Sequence, residues 1–397
     1  MKFFLLLFLT LALFGEEKKE PFVLQIETHD AISKAQKLID ENKIEEAQKL
    51  LLSVKENKKI KKPADLAYIR FFLGYFYAMQ ESFTQAIDFF EASLTYNALN
   101  EEQLESAYLY LVQLTLEQGS IVKTLNYLDA LIDITKKPKK EYYIYKAKIF
   151  MQQQEYKKTL QALDNACKNE QTHNVDLLKM KLYAHYMLQE NQEAVGEIKK
   201  LLVLEPHEKR YWLQLSSFYT TLGEKKSALA SIDASNIAAL NLQESEVLLL
   251  VGLLHESGIP YKAAVVLEKK IEEGVVKKSS AMFERLGDLF LDAAEVQRAL
   301  FWYKEGTRIS KSGALYYKIG RLCMNKQDFE CVVQNIEQSL KDSKEDEAQK
   351  YLLLGRAYYE LHQSKKAQSV FEKVLGDAKY QESAKAWLAF LERQYQK

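Results

Sequence analysis

The stretch LGRAYYELHQSKKAQSVFEKVL, residues 354–375, carries the pattern that decides the fold. Counting from Gly355, Tyr358 follows after 3 residues, Ala367 after 12 and Phe371 after 16. The apolar positions recur at intervals of three and four residues, which is typical of amphipathic helices. Small residues at matching points of two helices let the helices approach closely, and the rings fill the space around that contact. The stretch therefore predicts a hairpin of two antiparallel helices.

The same pattern recurs along the chain. Gly287 precedes Gly320 by 33 residues, and Gly320 precedes Gly355 by 35 residues. Near the start, LGYFYAMQESFTQAIDFFEASL, residues 73–94, repeats the pattern with Gly74 and Ala86. This period and this order of small and aromatic residues resemble the tetratricopeptide repeat (TPR), whose period is about 34 residues. The residues predicted to pack the two helices of a repeat together are Gly74, Ala86, Gly287, Ala299, Gly320, Gly355 and Ala367.

The resemblance implies an all-α fold: a right-handed α-solenoid of about ten TPR-like helical hairpins with a C-terminal capping helix. One hairpin cannot bury its apolar face alone, so neighbouring hairpins stack. Glycine (14) and proline (5) are scarce, which favours long stretches of helix. Pro63, Pro138 and Pro206 fall at predicted junctions between repeats, outside helix interiors. The residues of the capping helix predicted to face inward are Ala386, Trp387, Phe390 and Leu391.

Five segments are predicted along the chain. Residues 1–15 form a secretory signal peptide, and residues 16–27 form a linker. Residues 28–204 hold partly degenerate TPR-like repeats, residues 205–379 hold more regular repeats, and residues 380–397 form the capping helix. In the degenerate part Val112 and Thr124 occupy positions that small residues hold elsewhere, which predicts looser packing there.

The first residues, MKFFLLLFLTLALFGEEKKE, have the layout of a secretory signal. Lys2 precedes an apolar run over residues 3–14, and Gly15 and a charged cluster follow. The run is too short to span a bilayer, which takes about 20 residues. We therefore expect export with cleavage after Gly15; the alternatives are an uncleaved short anchor or a buried first helix.

The composition and the absence of known motifs argue against a catalytic or metal-binding function. Apolar residues make up 47% of the chain, charged residues 28%, and the formal net charge is zero, so nothing indicates nucleic acid or an anionic membrane as a partner. Nucleotide-binding, zinc-peptidase and nucleophile-elbow motifs are absent. The six histidines are scattered, and His255 is predicted to be a packed core histidine in place of an aromatic residue. We expect no catalytic residue, no metal, no cofactor and no small-molecule substrate, and hence no enzyme.

Two cysteines stand out. Cys323 and Cys331 are eight residues apart, one on each predicted helix of the same hairpin. In an oxidising compartment they would form a disulfide; otherwise they are two separate buried thiols. Cys167 has no evident partner and is expected to be buried.

In tetratricopeptide repeats generally, positions 2, 5, 9, 12 and 13 of the first helix line a binding groove. Aromatic residues and arginines, which are enriched at binding hot spots, occur at these positions here. The alternative is a solvated inner wall without a ligand. Tyr317 and Leu352 replace the lysines of the family's carboxylate clamp, so that ligand is not expected. The predicted groove residues are Glu284, Asp288, Tyr317, Arg321, Asn325, Arg356 and Tyr359.

A second resemblance covers about half of the chain. The segments YWLQLSSFYTTLGEKKSALA, ESEVLLLVGLLHESGIPYKAAVVLEKKIEEGVV and GALYYKIGRLCMNKQDF are similar to the tetratricopeptide protein that accompanies TonB-type energy-transducing systems of Gram-negative bacteria. Its distinctive element is the turn GIPYKAA, in which Pro260 fixes φ at the start of a second helix. The resemblance implies a periplasmic accessory that contacts TonB or its ExbB–ExbD motor. The alternative is a general cell-envelope scaffold for outer-membrane, pilus or cell-wall assembly.

Overall fold

A computed structural model describes residues 24–168 and 174–395. Within these ranges every regular element is an α-helix. The predicted signal peptide and most of the predicted linker lie outside the described residues. Among the described helices, none combines the length and the apolar character that crossing a membrane requires.

The described helices divide into two compact units, with the boundary between Gln189 and Glu190. The predicted domain division after Leu204 instead coincides with the end of α10. The helices of unit 1 are α1 Ile26–Asp40, α2 Ile44–Lys55, α3 Pro63–Met79, α4 Phe83–Leu94, α5 Glu101–Glu117, α6 Ile121–Ile134, α7 Lys140–Gln152, α8 Tyr156–Cys167 and α9 Val175–Met187. The helices of unit 2 are α10 Asn191–Leu204, α11 Lys209–Thr221, α12 Lys225–Ile237, α13 Glu244–Glu256, α14 Pro260–Glu272, α15 Ser280–Asp292, α16 Val296–Ile309, α17 Gly313–Asn325, α18 Phe329–Asp342, α19 Glu347–Glu360, α20 Ser364–Glu372 and α21 Gln381–Tyr395.

Unit 1 contains four helical hairpins, α1/α2, α3/α4, α5/α6 and α7/α8, followed by α9. Pro63 takes the first position of α3, where a missing N–H costs nothing. The buried carboxylate of Asp65 in α3 accepts a hydrogen bond of 2.9 Å from the amide of Gln25, so it caps the start of α1. Pro63 and the contact between Gln25 and Asp65 thus mark the starts of the first two hairpins of unit 1.

Aromatic rings fill the core of unit 1 between α4 and α5, whereas smaller polar side chains are buried between α5 and α6. Phe90 of α4 stacks on Tyr110 of α5, with ring centroids 5.1 Å apart and planes 11° apart. In the hairpin α5/α6, Thr124 is fully buried and shares a hydrogen bond of 2.9 Å with the hydroxyl of Thr115. A pair of bonded hydroxyls thus fills the place that a small residue holds in the regular repeats.

Unit 2 contains α10, the five hairpins α11/α12, α13/α14, α15/α16, α17/α18 and α19/α20, and the final helix α21. Gly258 ends α13 with a φ of +74°, a conformation that favours glycine, and Pro260 then starts α14. Side chains cap other helices: Ser279 accepts from the third residue of α15, and Ser312 does so for α17. One continuous apolar core runs from α12 to α21. The predicted all-α chain of stacked helical hairpins is therefore confirmed within each unit.

The glycines of the repeat lie directly against a large side chain of the second helix. At Gly355 a Cβ atom would overlap the ring of Phe371, and at Gly287 it would overlap the ring of Tyr303. Gly74 faces Phe90 and Gly320 faces Ile336 in the same way. The remaining predicted packing residues are fully buried: Ala86, Ala299 and Ala367.

The helix α21 closes the end of unit 2. The ring of Trp387 stacks on Phe371, with centroids 5.5 Å apart and planes 10° apart. Ala384 and Leu391 are buried. Ala386, in contrast, is exposed and Phe390 is 40% exposed, so the inward stripe of the capping helix differs from the predicted one.

Candidate binding surface of unit 2

All seven predicted groove residues lie on the first helices of three consecutive hairpins in unit 2. Glu284 and Asp288 lie on α15, whereas Arg356 and Tyr359 lie on α19. The helix α17 between them carries Tyr317, Arg321 and Asn325. Asp288, Arg321 and Arg356 hold equivalent positions, since each follows the glycine of its repeat directly. We call this the α15–α17–α19 face.

The acidic residues at the α15 end of the face form ion pairs with a lysine of the next hairpin. The Nζ atom of Lys318, on α17, lies 2.8 Å from Oε1 of Glu284 and 2.6 Å from Oδ1 of Asp288. The hydroxyl of Tyr303 also donates to Asp288, at 2.6 Å. Lys318 contacts both carboxylates and offsets one of their two negative charges, so a cationic ligand would compete with this lysine for Glu284 and Asp288.

The pKa values of this cluster follow from its contacts. Burial lowers the pKa of Lys318, but hydrogen bonds and charge from Asp288 and Glu284 outweigh burial and raise it. Burial, followed by the hydrogen bond to Asp288, raises the pKa of Tyr303 above its usual range. Lys318 is therefore a stable cation, and Tyr303 is a stable hydrogen-bond donor. The contacts of Lys318 link the α15/α16 and α17/α18 hairpins, whereas the hydrogen bond from Tyr303 to Asp288 joins the two helices of the α15/α16 hairpin.

The other end of the face carries two exposed arginines. Within the described residues, neither Arg321 nor Arg356 forms an ion pair. The guanidinium of Arg321 lies over the ring of Tyr317, 5.8 Å from its centroid. Burial raises the pKa of the half-buried Tyr317, and the charge of Arg321 opposes that effect. The helices α17 and α19 contact each other directly, so the two cations lie on neighbouring helices of one packed body.

Tyr359 is not part of the open surface. Its ring lies 5.6 Å from Trp387 and 5.5 Å from Phe390, both on α21. The amide of Gln394 lies 3.4 Å from its hydroxyl. Tyr359 thus anchors the capping helix, and α21 limits the face beyond α19.

Asn325 is exposed at the end of α17, next to a disulfide between the two helices of its hairpin. Cys323 and Cys331 are bonded to each other, with their Cα atoms 5.9 Å apart. Asp328 caps α18 by accepting from the amide of Cys331 at 3.1 Å. Asp328 and the two sulfurs lie within 4.8 Å of one another, the spacing of a metal site. In the disulfide the sulfurs are not the free thiolates that a metal binds.

The prediction for His255 is wrong. Its side chain is 49% exposed, and Nε2 lies 2.8 Å from Oδ2 of Asp292 on α15. Leu254, one residue earlier, is the buried residue of this turn of α13. The prediction placed the histidine one position away from its place in the helix. Cys167, expected to be buried, is half-buried and free.

Sequence reasoning also missed a cleft of about 460 Å³ at the connection between α12 and α13. Its apolar part includes Val266 and Ile237, of which Ile237 is 75% exposed. Its rim includes Lys270, paired with Glu273 at 2.6 Å. No motif indicates it, because it arises from a loop in which Ala239 adopts a φ of 53°.

No protein-family model matches this chain, and no curated protein matches it. One of the solved structures similar to it is a tetratricopeptide repeat protein from Parabacteroides merdae. The two share 16% identity over 72% of this chain and 94% of that chain, with a TM-score of 0.37. MamA shares 18% identity over 44% of this chain and 94% of its own, with a TM-score of 0.37. YrrB, described as a TPR protein with an unusual peptide-binding site, shares 14% identity over 48% of this chain and 97% of its own, with a TM-score of 0.37. At these identities the functions of the neighbours do not transfer to this chain.

Proposed function

We propose that this chain is a protein-binding scaffold and that the α15–α17–α19 face is a surface it presents to a partner. The observation that carries the proposal is the pair of exposed arginines, Arg321 and Arg356, on two neighbouring first helices. An arginine lying over a tyrosine is the kind of residue set that dominates binding energy at protein interfaces. Stacked hairpins hold this set rigidly, which lowers the entropy lost on binding.

A non-catalytic role fits the chemistry of the face. A reaction centre needs titratable groups that converge on a substrate and whose shifted pKa values serve the reaction. Here the shifted groups are explained by contacts within the fold: Lys318 by Glu284 and Asp288, and Tyr303 by burial and Asp288. The role of these groups is to join hairpins.

The setting in the cell is proposed from the sequence. The leader supports export, and the similarity of residues 204–375 to TonB-associated tetratricopeptide proteins supports a periplasmic accessory of a TonB–ExbB–ExbD system. The second candidate is a general envelope scaffold for outer-membrane, pilus or cell-wall assembly, which the repeats and the leader alone support. Cell fractionation, with mass spectrometry of the mature N-terminus, tests the export. An N-terminus after Gly15 in the periplasmic fraction is expected, and intact protein in the cytosol contradicts it.

Crosslinked affinity capture of the full chain from cells tests the partner. TonB, ExbB or ExbD among the captured proteins is the expected result. Capture of outer-membrane or wall-synthesis proteins instead selects the second candidate. Capture that returns no protein above an untagged control contradicts the scaffold role.

A further inference from the structure

We infer that the α15–α17–α19 face recognises an acidic segment of a partner protein, whose carboxylates pair with Arg321 and Arg356. The inference rests on the proposed scaffold role and adds the chemistry of the ligand. It follows from which charges of the face the fold has already compensated and which it has left open.

The carboxylates at the α15 end of the face are already paired with a lysine of the same unit. Lys318 reaches Glu284 and Asp288 together, and its side chain is only 31% exposed. A basic ligand would have to displace this lysine from two contacts at once. At the α15 end of the face a cation would therefore compete with Lys318, and the two carboxylates, of whose charges Lys318 offsets only one, repel an anion.

The two arginines beyond the Lys318 cluster are available to a ligand. Arg321 and Arg356 are exposed, and neither pairs with a described carboxylate. A guanidinium offers donors in a planar fork that matches a carboxylate in two parallel hydrogen bonds. Tyr317 under Arg321 favours one orientation of that fork through cation–π attraction. Two such forks at equivalent positions of adjacent helices suit two carboxylates carried on one chain.

The extent of the patch indicates a peptide segment rather than a polyanion. Lipid surfaces and nucleic acids are bound by extended clusters of lysines and arginines. This patch is short: the Lys318 cluster limits it on the α15 side, and Tyr359, covered by Trp387 of α21, limits it beyond α19. The ligand it fits is a short acidic stretch lying across α17 and α19.

Fluorescence anisotropy with the purified chain tests the inference. The probe is a fluorescein-labelled peptide of alternating Glu and Ser, and its control is the same peptide with Gln in place of Glu. We expect the Glu peptide to bind more tightly than the Gln peptide, and R321Q/R356Q to weaken its binding by about tenfold or more, since each arginine contributes charge-assisted hydrogen bonds. Added salt should weaken the wild-type binding.

The matched control is R308Q. Arg308 lies on the second helix α16, is exposed, and pairs with Glu305 on its own helix, so its loss removes one positive charge away from the face, as each single substitution of the double variant does on the face. R308Q should leave the affinity for the Glu peptide unchanged. Equal binding of both peptides, or equal losses in R308Q and R321Q/R356Q, overturns the inference.

Capture from cells separates this inference from the scaffold role. If R321Q/R356Q captures the same partner as the wild type, the acidic-segment inference is wrong and the scaffold role stands. If the wild type captures nothing while the Glu peptide binds selectively through the two arginines, the preference of the face for an acidic peptide stands and the scaffold role fails. Circular dichroism of each variant shows that the exposed substitutions leave the helices intact.

Discussion

Replacing Gly355 by alanine adds one methyl group at the closest approach of α19 and α20. The new Cβ would lie 2.6 Å from Cζ and 2.8 Å from Cδ1 of Phe371, well inside van der Waals contact. Phe371 has little room to move, because it is fully buried and stacked on Trp387. The strain therefore passes to the helix pair and to the capping helix.

The magnitude follows from two opposing terms. Forcing an extra methyl group into a packed core costs about 1–3 kcal/mol. Alanine is favoured over glycine inside a helix by about 1 kcal/mol. Gly196, inside α10 of the same unit, supplies the control, because nothing lies near a Cβ built there. G196A should gain the helix term alone, so the two variants should differ in free energy of unfolding by about 1–3 kcal/mol, with G355A the less stable.

Urea denaturation followed by tryptophan fluorescence measures this difference. All three tryptophans, Trp212, Trp302 and Trp387, lie in unit 2, so the signal reports on the unit that carries both substitutions. Trp387 touches Phe371 and should respond first in G355A. If both variants move the unfolding midpoint by the same amount in the same direction, the packing argument is refuted.

Three further predictions concern the disulfide, a tyrosine and the lysine link. Reducing the Cys323–Cys331 bond opens an eight-residue loop and should lower the free energy of unfolding by about 2.5 kcal/mol in urea denaturation, whereas no change would show that the bond constrains nothing. Burial, followed by the hydrogen bond to Glu205, raises the pKa of Tyr211 to about 12, above an unfolded value of about 10. The stability that Tyr211 contributes is thus complete below pH about 10 and is lost as the pH rises to about 12. The urea midpoint of Y211F should therefore fall less than that of the wild type over this pH range. An equal fall in both proteins would show that Tyr211 does not cause it. K318M should cost about 1 kcal/mol because the ion pairs are partly exposed, and this cost should shrink at high salt; a salt-independent cost would point to lost packing instead.

The hairpins could be predicted because their signal is local and repeated. Gly355 and Phe371 are 16 residues apart, and the structure places them in contact, as it does Gly74 and Phe90 at the same spacing. The prolines at the junctions mark the boundaries of helices through their own covalent geometry. Signals of this kind depend on the chain within one repeat, so they are visible in one sequence.

Rotational errors show the limit of this approach. His255 was placed one position away from its true place, and a shift of one residue turns a side chain by about 100° around a helix. That is enough to exchange the buried Leu254 for the exposed His255. In α21 the error is of another kind, because Trp387 and Leu391 pack inward as predicted, whereas Ala384 is buried and Ala386 is exposed.

The state of the candidate surface depends on neighbours that one repeat does not reveal. Glu284, Asp288 and Tyr359 occupy the positions of groove residues in the sequence. Whether they are open is decided by Lys318, from the next hairpin, and by α21, which follows the last one. Charge compensation between hairpins is a tertiary property, since Lys318 lies 30 residues from Asp288 and 34 residues from Glu284 in the chain.

The capping helix and the lysine cluster together determine what the face binds. If α21 were shorter, Tyr359 would be uncovered, and the surface would continue beyond Arg356 with an aromatic side chain. If Lys318 were neutral, the carboxylates of Glu284 and Asp288 would offset the arginines, and the face would no longer favour an anion. The preference for an acidic segment therefore depends on residues that do not contact the ligand as well as on the two arginines that do. K318M should accordingly weaken binding of the Glu peptide even though Arg321 and Arg356 are unchanged, and an unaltered affinity would show that the arginines act without regard to their acidic neighbours.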